Sequence, residues 1–95
     1  MATTIYSGNK VTLANTTEVD LEFGDLVDSQ AKETLLYIRV DADNSGTIQF
    51  AAGRAITDDD QPFAAGITVP ITVRDGFRNL RAKASAGGQS FCVTH

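Results

Sequence analysis

An alternation of apolar and polar residues runs through most of this chain and limits the folds open to it. It is clearest over residues 67–73, which read Ile-Thr-Val-Pro-Ile-Thr-Val. A period of two places every second side chain on one face of a β-strand, so the segment is predicted to be a strand with an apolar inner face. Because Pro70 has no N–H to donate, this strand is predicted to lie at a sheet edge, to change partner there or to carry a bulge.

Further strands are predicted wherever the same period recurs. Four longer segments show it (19–23, 35–42, 47–52 and 80–86), and shorter apolar runs lie at 5–6, 11–13 and 91–93. Turn-forming residues between neighbouring segments predict three antiparallel hairpins, through 7–10, 43–46 and 87–88. Residues 25–33 have room for one helical turn, and residues 53–66 form the longest predicted loop.

Seven to eight short strands of this kind must bury one face of each sheet against another sheet. The predicted fold class is therefore all-β, a two-sheet antiparallel β-sandwich of immunoglobulin-like or jelly-roll type, with residues 1–95 forming one domain. The chain has no tryptophan, 2 tyrosines and 5 phenylalanines. Small and β-branched side chains must therefore fill most of the core.

The charge balance argues against free nucleic acid as a partner. The formal net charge is −4, whereas a protein that neutralises phosphates normally carries a basic excess. The charge is uneven along the chain, because acidic residues crowd the first third and basic residues follow at Arg74, Arg78, Arg81 and Lys83. These clusters are interpreted either as solvated strand faces or as complementary contacts between copies of the chain.

A single cysteine, Cys92, provides neither an intramolecular disulfide nor a thiolate metal cage, which favours a reducing compartment. The N-terminal residues lack the basic and apolar regions of a secretion signal. No stretch approaches the roughly 18 apolar residues that cross a bilayer. We therefore expect a soluble protein with no membrane partner.

Residues 41–48 resemble the first eight positions of an EF-hand calcium loop. Oxygen-bearing side chains at Asp41, Asp43 and Ser45 fill positions one, three and five, and a glycine follows. The twelfth position, however, is Ala52 in place of the bidentate glutamate, and the flanking segments alternate as strands. A hairpin turn with a polar tip is the favoured interpretation, and calcium binding by Asp41, Asp43 and Ser45 is the alternative.

No constellation of catalytic residues is evident. Nucleophilic catalysis needs Ser, Cys or Thr beside a histidine, and the one histidine, His95, is the last residue of the sequence. Chain ends hold a general base poorly, and Cys92 is interpreted as a core or interface residue. The three acids at 58–60 are interpreted as a solubilising loop tip, with cation binding as the alternative. We therefore expect no enzymatic activity, no bound metal and no cofactor.

From about residue 34 to residue 95, the order of features resembles that of small β-sandwich virion proteins of tailed phages. These features are an apolar strand at 35–40, a polar turn at 43–46, a second strand at 47–52, a variable loop, the segment Ala-Gly-Ile-Thr-Val-Pro-Ile at 65–71, a basic strand and a terminal glycine hairpin. The resemblance implies a structural role in a virus particle, often that of a capsid decoration or cement protein.

The expected function is accordingly that of a non-enzymatic virion protein, made in the host cytoplasm, that binds the major capsid protein and copies of itself. The interface is expected to use strand edges, the 53–66 loop and a basic face, with Phe63, Pro70, Arg78, Arg81 and Lys83 as its candidate residues. The alternative is a recognition module for carbohydrates or cell surfaces. Such a module needs an exposed aromatic platform, which only Tyr6, Tyr37, Phe63 and Phe77 are placed to supply.

Overall fold

The computed structural model describes residues 3–24, 33–52, 54–74 and 79–94. Within these ranges the chain forms eight strands and no helix. The strands are β1 (Thr3–Ile5), β2 (Lys10–Leu13), β3 (Val19–Phe23), β4 (Glu33–Val40), β5 (Ile48–Ala52), β6 (Thr68–Arg74), β7 (Asn79–Ala84) and β8 (Gln89–Thr94). The predicted helical turn lies outside the described residues, apart from Glu33, which begins β4.

The eight strands form two four-stranded sheets that pack together. Sheet A has the strand order β1-β3-β7-β5, and sheet B has the order β2-β8-β4-β6. All pairings are antiparallel except that of β1 with β3, which is parallel. The predicted all-β, two-sheet sandwich is confirmed.

The three predicted hairpins are wrong, because none of the eight described strands pairs with the next one along the chain. Odd-numbered strands lie in sheet A and even-numbered strands in sheet B. β4, for example, pairs with β6 and β8, whereas β5 pairs with β7. Turn-forming residues mark where the chain reverses, but they do not decide whether it returns within the sheet or crosses about 10 Å to the opposite one. An immunoglobulin domain, by contrast, keeps its first two strands in one sheet.

The core lies between the two sheets and follows the alternation of the sequence. In β4 the side chains of Leu36, Ile38 and Val40 are fully buried, while those between them face solvent. The buried apolar residues of the remaining strands are Ile5, Leu13, Leu21, Phe23, Ile48, Phe50, Ala51, Val73, Leu80, Ala82, Ala84, Phe91 and Val93. The rings of Phe50 in sheet A and Phe91 in sheet B meet edge to face, with centroids 4.9 Å apart.

Pro70 lies in β6, which forms an edge of sheet B, as predicted. The N–H of Val40 donates to the carbonyl of Ile67 at 2.9 Å, so these two residues occupy a hydrogen-bonded site of the β4–β6 ladder. Hydrogen-bonded and non-hydrogen-bonded pairs alternate along an antiparallel ladder. Tyr37 and Pro70, three residues farther on, therefore form a non-hydrogen-bonded pair. The proline nitrogen faces the open side of the sheet, where its missing N–H disrupts no bond to β4.

Restoring a backbone donor at this position is expected to promote self-association. A Pro70→Thr variant gains an N–H on the open side of β6. In the unmodified protein, two copies that pair edge to edge through β6 lack the hydrogen bond that this N–H would donate. One additional hydrogen bond raises the apparent association constant by about threefold to tenfold. Analytical ultracentrifugation over a concentration series measures this association constant. Thr72→Ser, which leaves the donors of the same edge unchanged, is the control, and identical association curves for the two variants would contradict the prediction.

Candidate functional site

The outer face of sheet B carries the most distinctive surface of the described residues. Cross-strand partners share a face of the sheet, and one such row contains Thr94, Tyr37 and Pro70. The side chain of Tyr37 is 38% exposed, and that of Leu35, two residues earlier on the same face, is 51% exposed. We call Leu35, Tyr37 and Pro70 the sheet B patch. It combines exposed apolar area with the open edge of β6.

A cleft of about 430 Å³ lies beside the sheet B patch. Its polar lining comes from a second cross-strand row, which contains Lys10 of β2, Cys92 of β8, Arg39 of β4 and Thr68 of β6. Asp41, just after β4, completes the charged lining. The cleft is therefore assembled from four strands that are distant in sequence.

An ion pair fixes one side of the cleft. The ammonium of Lys10 lies 2.8 Å from Oδ2 of Asp41, and Oδ1 of Asp41 accepts the N–H of Asp43 at 3.1 Å. The hydrogen bond to Lys10, followed by that from the Asp43 N–H, lowers the pKa of Asp41 below its usual value. The same contact raises the pKa of Lys10. Both groups therefore keep their charges at neutral pH.

The residues of the calcium-like segment are engaged by other parts of the chain. Asp41 pairs with Lys10, whereas the hydroxyl of Ser45 accepts a hydrogen bond from Nε2 of Gln89 at 3.1 Å. The segment is a crossing from sheet B to sheet A and not the hairpin turn that the sequence favoured. Within the described ranges, no group of three or more His, Cys, Asp or Glu side chains is placed to hold a metal ion. Calcium binding by Asp41, Asp43 and Ser45 stays the untested alternative to a segment without metal.

The interface candidates from the sequence occupy different parts of the molecule. Arg81 and Lys83 lie on the outer face of sheet A, where Arg81 pairs with Glu18 at 2.9 Å and with Asp20 at 3.9 Å. Lys83 is exposed. Pro70 lies in sheet B on the opposite side, and Arg78 lies outside the described residues. The predicted basic face is therefore partly neutralised by the acidic strand beside it.

Phe63 contributes to the core from the long loop. Its N–H and carbonyl exchange hydrogen bonds with Ile48 at 2.9 and 3.1 Å, which extends sheet A beyond β5. Its half-buried ring lies 6.3 Å from that of Phe50. Phe63 therefore anchors the loop and covers part of the β5 edge.

The acidic tip of the same loop is organised by one arginine. Nη1 and Nη2 of Arg54 donate to the carboxylate of Asp60, which also accepts the N–H of Thr57 at 2.9 Å. These contacts, that of Arg54 above all, hold the pKa of Asp60 far below its usual range. Asp58 and Asp59 remain exposed. The loop tip is thus a turn held together by contacts to the Asp60 carboxylate.

Sequence reasoning missed two features, one in the cleft and one in the core. Arg39 and Lys10 were not singled out, because only the strand register places them in one row with Cys92 and Thr68. Gln89 was also missed, although it lies on the same inward-facing side of its strand as Phe91 and Val93. This alternation in the sequence could have indicated that its amide is buried.

Comparison with known proteins returns no match among protein-family models, curated proteins or solved structures. Among the described residues, no helix is long and apolar enough to cross a membrane. Any functional conclusion consequently depends on the residues and geometry of the chain itself.

Proposed function

We propose that this protein is a non-enzymatic virion component that decorates and stabilises a viral capsid through the outer face of sheet B. The observation that carries the proposal is the sheet B patch, in which Leu35 and Tyr37 are exposed at 51% and 38% beside the open edge of β6. Aromatic residues are enriched in protein interfaces. The order of sequence features from about residue 34 to residue 95, which resembles that of tailed-phage virion proteins, supports the same assignment.

The position of the sheet B patch suits a binding surface. Leu35 and Tyr37 lie on β4, which is flanked at Tyr37 by β6 on one side and by β8 on the other. A side chain on an internal strand is held in place before a partner arrives, so little ordering entropy is lost on binding. The neighbouring edge of β6 offers backbone groups to a strand of the major capsid protein or of a second copy.

Co-sedimentation with undecorated shells tests this function. The protein is mixed with empty shells assembled from the major capsid protein encoded in the same genome, and the bound fraction and the shell melting temperature are measured. The protein is expected to pellet with the shells and to raise their melting temperature. Tyr37→Ala is expected to weaken binding by about tenfold or more, as for an aromatic interface anchor.

Tyr6→Ala is the matched control, because Tyr6 is 50% exposed but lies outside the sheet B patch. It is expected to bind shells as the unmodified protein does. A protein that stays in the supernatant would refute the decoration role. Equal losses in the two variants would refute the sheet B patch as the contact surface.

Carbohydrate or cell-surface recognition is the second candidate, and the exposed ring of Tyr37 is the observation that favours it. An exposed tyrosine ring on a rigid sheet offers a sugar an apolar face and a hydroxyl group. A glycan array probed with the labelled protein distinguishes the two functions. Binding to a defined glycan that is lost in Tyr37→Ala and kept in Tyr6→Ala would favour recognition over decoration.

A further inference from the structure

The cleft beside the sheet B patch contains a cation that has no ion-pair partner among the described residues. Arg39 is exposed, and its two cross-strand neighbours, Cys92 and Thr68, are neutral. Arg54, Arg74 and Arg81, the other arginines of the described ranges, each pair with a carboxylate. Arg39 alone among them has no carboxylate partner within the described part of the chain.

Both oxygens of Asp41, the carboxylate in the cleft lining, already contact other groups of the chain. One of its oxygens contacts the Lys10 ammonium at 2.8 Å and the other accepts the Asp43 N–H. Two cations and one carboxylate therefore line the cleft, so the lining itself carries one net positive charge although the whole chain carries −4. The Asp43 carboxylate acts on Lys10 from outside this lining. A local positive site on an acidic protein selects for an anionic group.

We infer that this cleft binds a carboxylate carried by an extended segment of a partner protein, with Arg39 as the residue that receives it. The planar guanidinium matches a carboxylate with two parallel hydrogen bonds. The Thr68 hydroxyl lies in the same row, and a volume of about 430 Å³ accommodates a side chain together with adjoining backbone. The inference does not rest on the proposed capsid role, since any acidic segment satisfies the same chemistry.

The thiol of Cys92 offers a direct reporter of this charge. It is the single cysteine of the chain, it is half-buried, and it lies between Lys10 and Arg39 in the row. Iodoacetate and iodoacetamide both alkylate the sulfur, with the thiolate displacing iodide, but only iodoacetate carries a carboxylate. The ratio of the two rate constants therefore reports attraction of a carboxylate into the cleft and cancels differences in thiol reactivity.

In Arg39→Gln the iodoacetate to iodoacetamide ratio is expected to fall by about threefold or more, because one full charge beside the thiol is removed. Lys83→Gln is the control, since Lys83 is exposed on the opposite sheet and also has no ion pair within the described residues. Its ratio is expected to match that of the unmodified protein. A ratio that does not change in Arg39→Gln, or that falls equally in both variants, would overturn the inference.

Peptide titrations followed by ¹H–¹⁵N NMR identify the source of the carboxylate. The probes are a blocked Gly-Gly-Glu-Gly-Gly peptide, its glutamine counterpart, the glutamine peptide with a free C-terminal carboxylate, and inorganic phosphate. Saturable shifts at Arg39 Nε–H and the Thr68 amide are expected with a carboxylate peptide. In Arg39→Gln, the shift of the Thr68 amide is expected to be lost. The glutamate and free-terminus peptides separate a side-chain carboxylate from a chain terminus. Equal shifts with the blocked glutamine peptide, or tighter binding of phosphate than of both carboxylate peptides, would refute the site.

Discussion

Replacing Phe91 with alanine is expected to lower the free energy of unfolding by about 3–5 kcal/mol, the usual cost of emptying a buried aromatic position. Phe91 is 1% exposed, and its ring meets that of Phe50 edge to face across the two sheets. The ring therefore packs one sheet against the other. Because small domains are stable by only about 5–15 kcal/mol, the variant is expected to lose a large part of its stability.

Urea unfolding followed by circular dichroism measures this loss, and Phe63→Ala provides the comparison. Phe63 is half-buried at the sheet A edge, with its ring 6.3 Å from that of Phe50, so a smaller loss of about 1–2 kcal/mol is expected. Should Phe91→Ala fail to fold, Phe91→Leu is expected to retain the fold with a loss of about 1–2 kcal/mol. Equal losses for the alanine variants of Phe91 and Phe63 would contradict the central role of Phe91.

Local sequence patterns predicted where the strands lie but not which strands pair. The period of two is a property of each segment alone, which is why β4 and β6 have the predicted alternation of burial. Pro70 likewise predicted an edge, a change of partner or a bulge, because its missing N–H is a property of the residue itself, and the structure shows the edge. The partner of a strand is decided by how all strands fill both sheets. The turn residues at 43–46 therefore predicted correctly that the chain reverses direction, but they predicted wrongly that β4 and β5 pair with each other.

The candidate site depends on the same non-local information. In the sequence, Arg39 was predicted to be a polar strand residue, Lys10 to belong to a turn and Cys92 to be a core or interface residue. Only the registers of β2 with β8 and of β8 with β4 bring the three into one row. The calcium-like pattern at 41–48 was a local signal. In the folded chain, the same polar residues connect the crossing between the sheets to β2 and β8.

Gln89 is the centre of that connection. Its side chain is 1% exposed, and its Oε1 accepts the N–H of Gly46 at 2.8 Å. Its Nε2 donates to the Ser45 hydroxyl and to the Gly87 carbonyl, both at 3.1 Å. One buried amide thus links the β4–β5 crossing to the β7–β8 crossing. Space is tight around it, because a Cβ added at Gly46 would lie 2.6 Å from the Ser85 hydroxyl oxygen.

Substituting Gln89 with leucine is expected to reduce the free energy of unfolding by about 2–3 kcal/mol, although leucine is apolar and similar in volume. The substitution leaves the part-buried Gly46 N–H without its acceptor and removes both bonds from Nε2, and an unsatisfied buried group costs more than a made bond contributes. Gln49→Leu is the matched control, because Gln49 is half-buried and makes one hydrogen bond, to the Asp60 carbonyl. It is expected to cost about 1 kcal/mol or less. Urea unfolding compares the variants, and hydrogen exchange of the Gly46 amide is expected to accelerate in Gln89→Leu alone. A Gln89→Leu variant as stable as the unmodified protein would show that apolar packing, and not the amide network, holds the two crossings together.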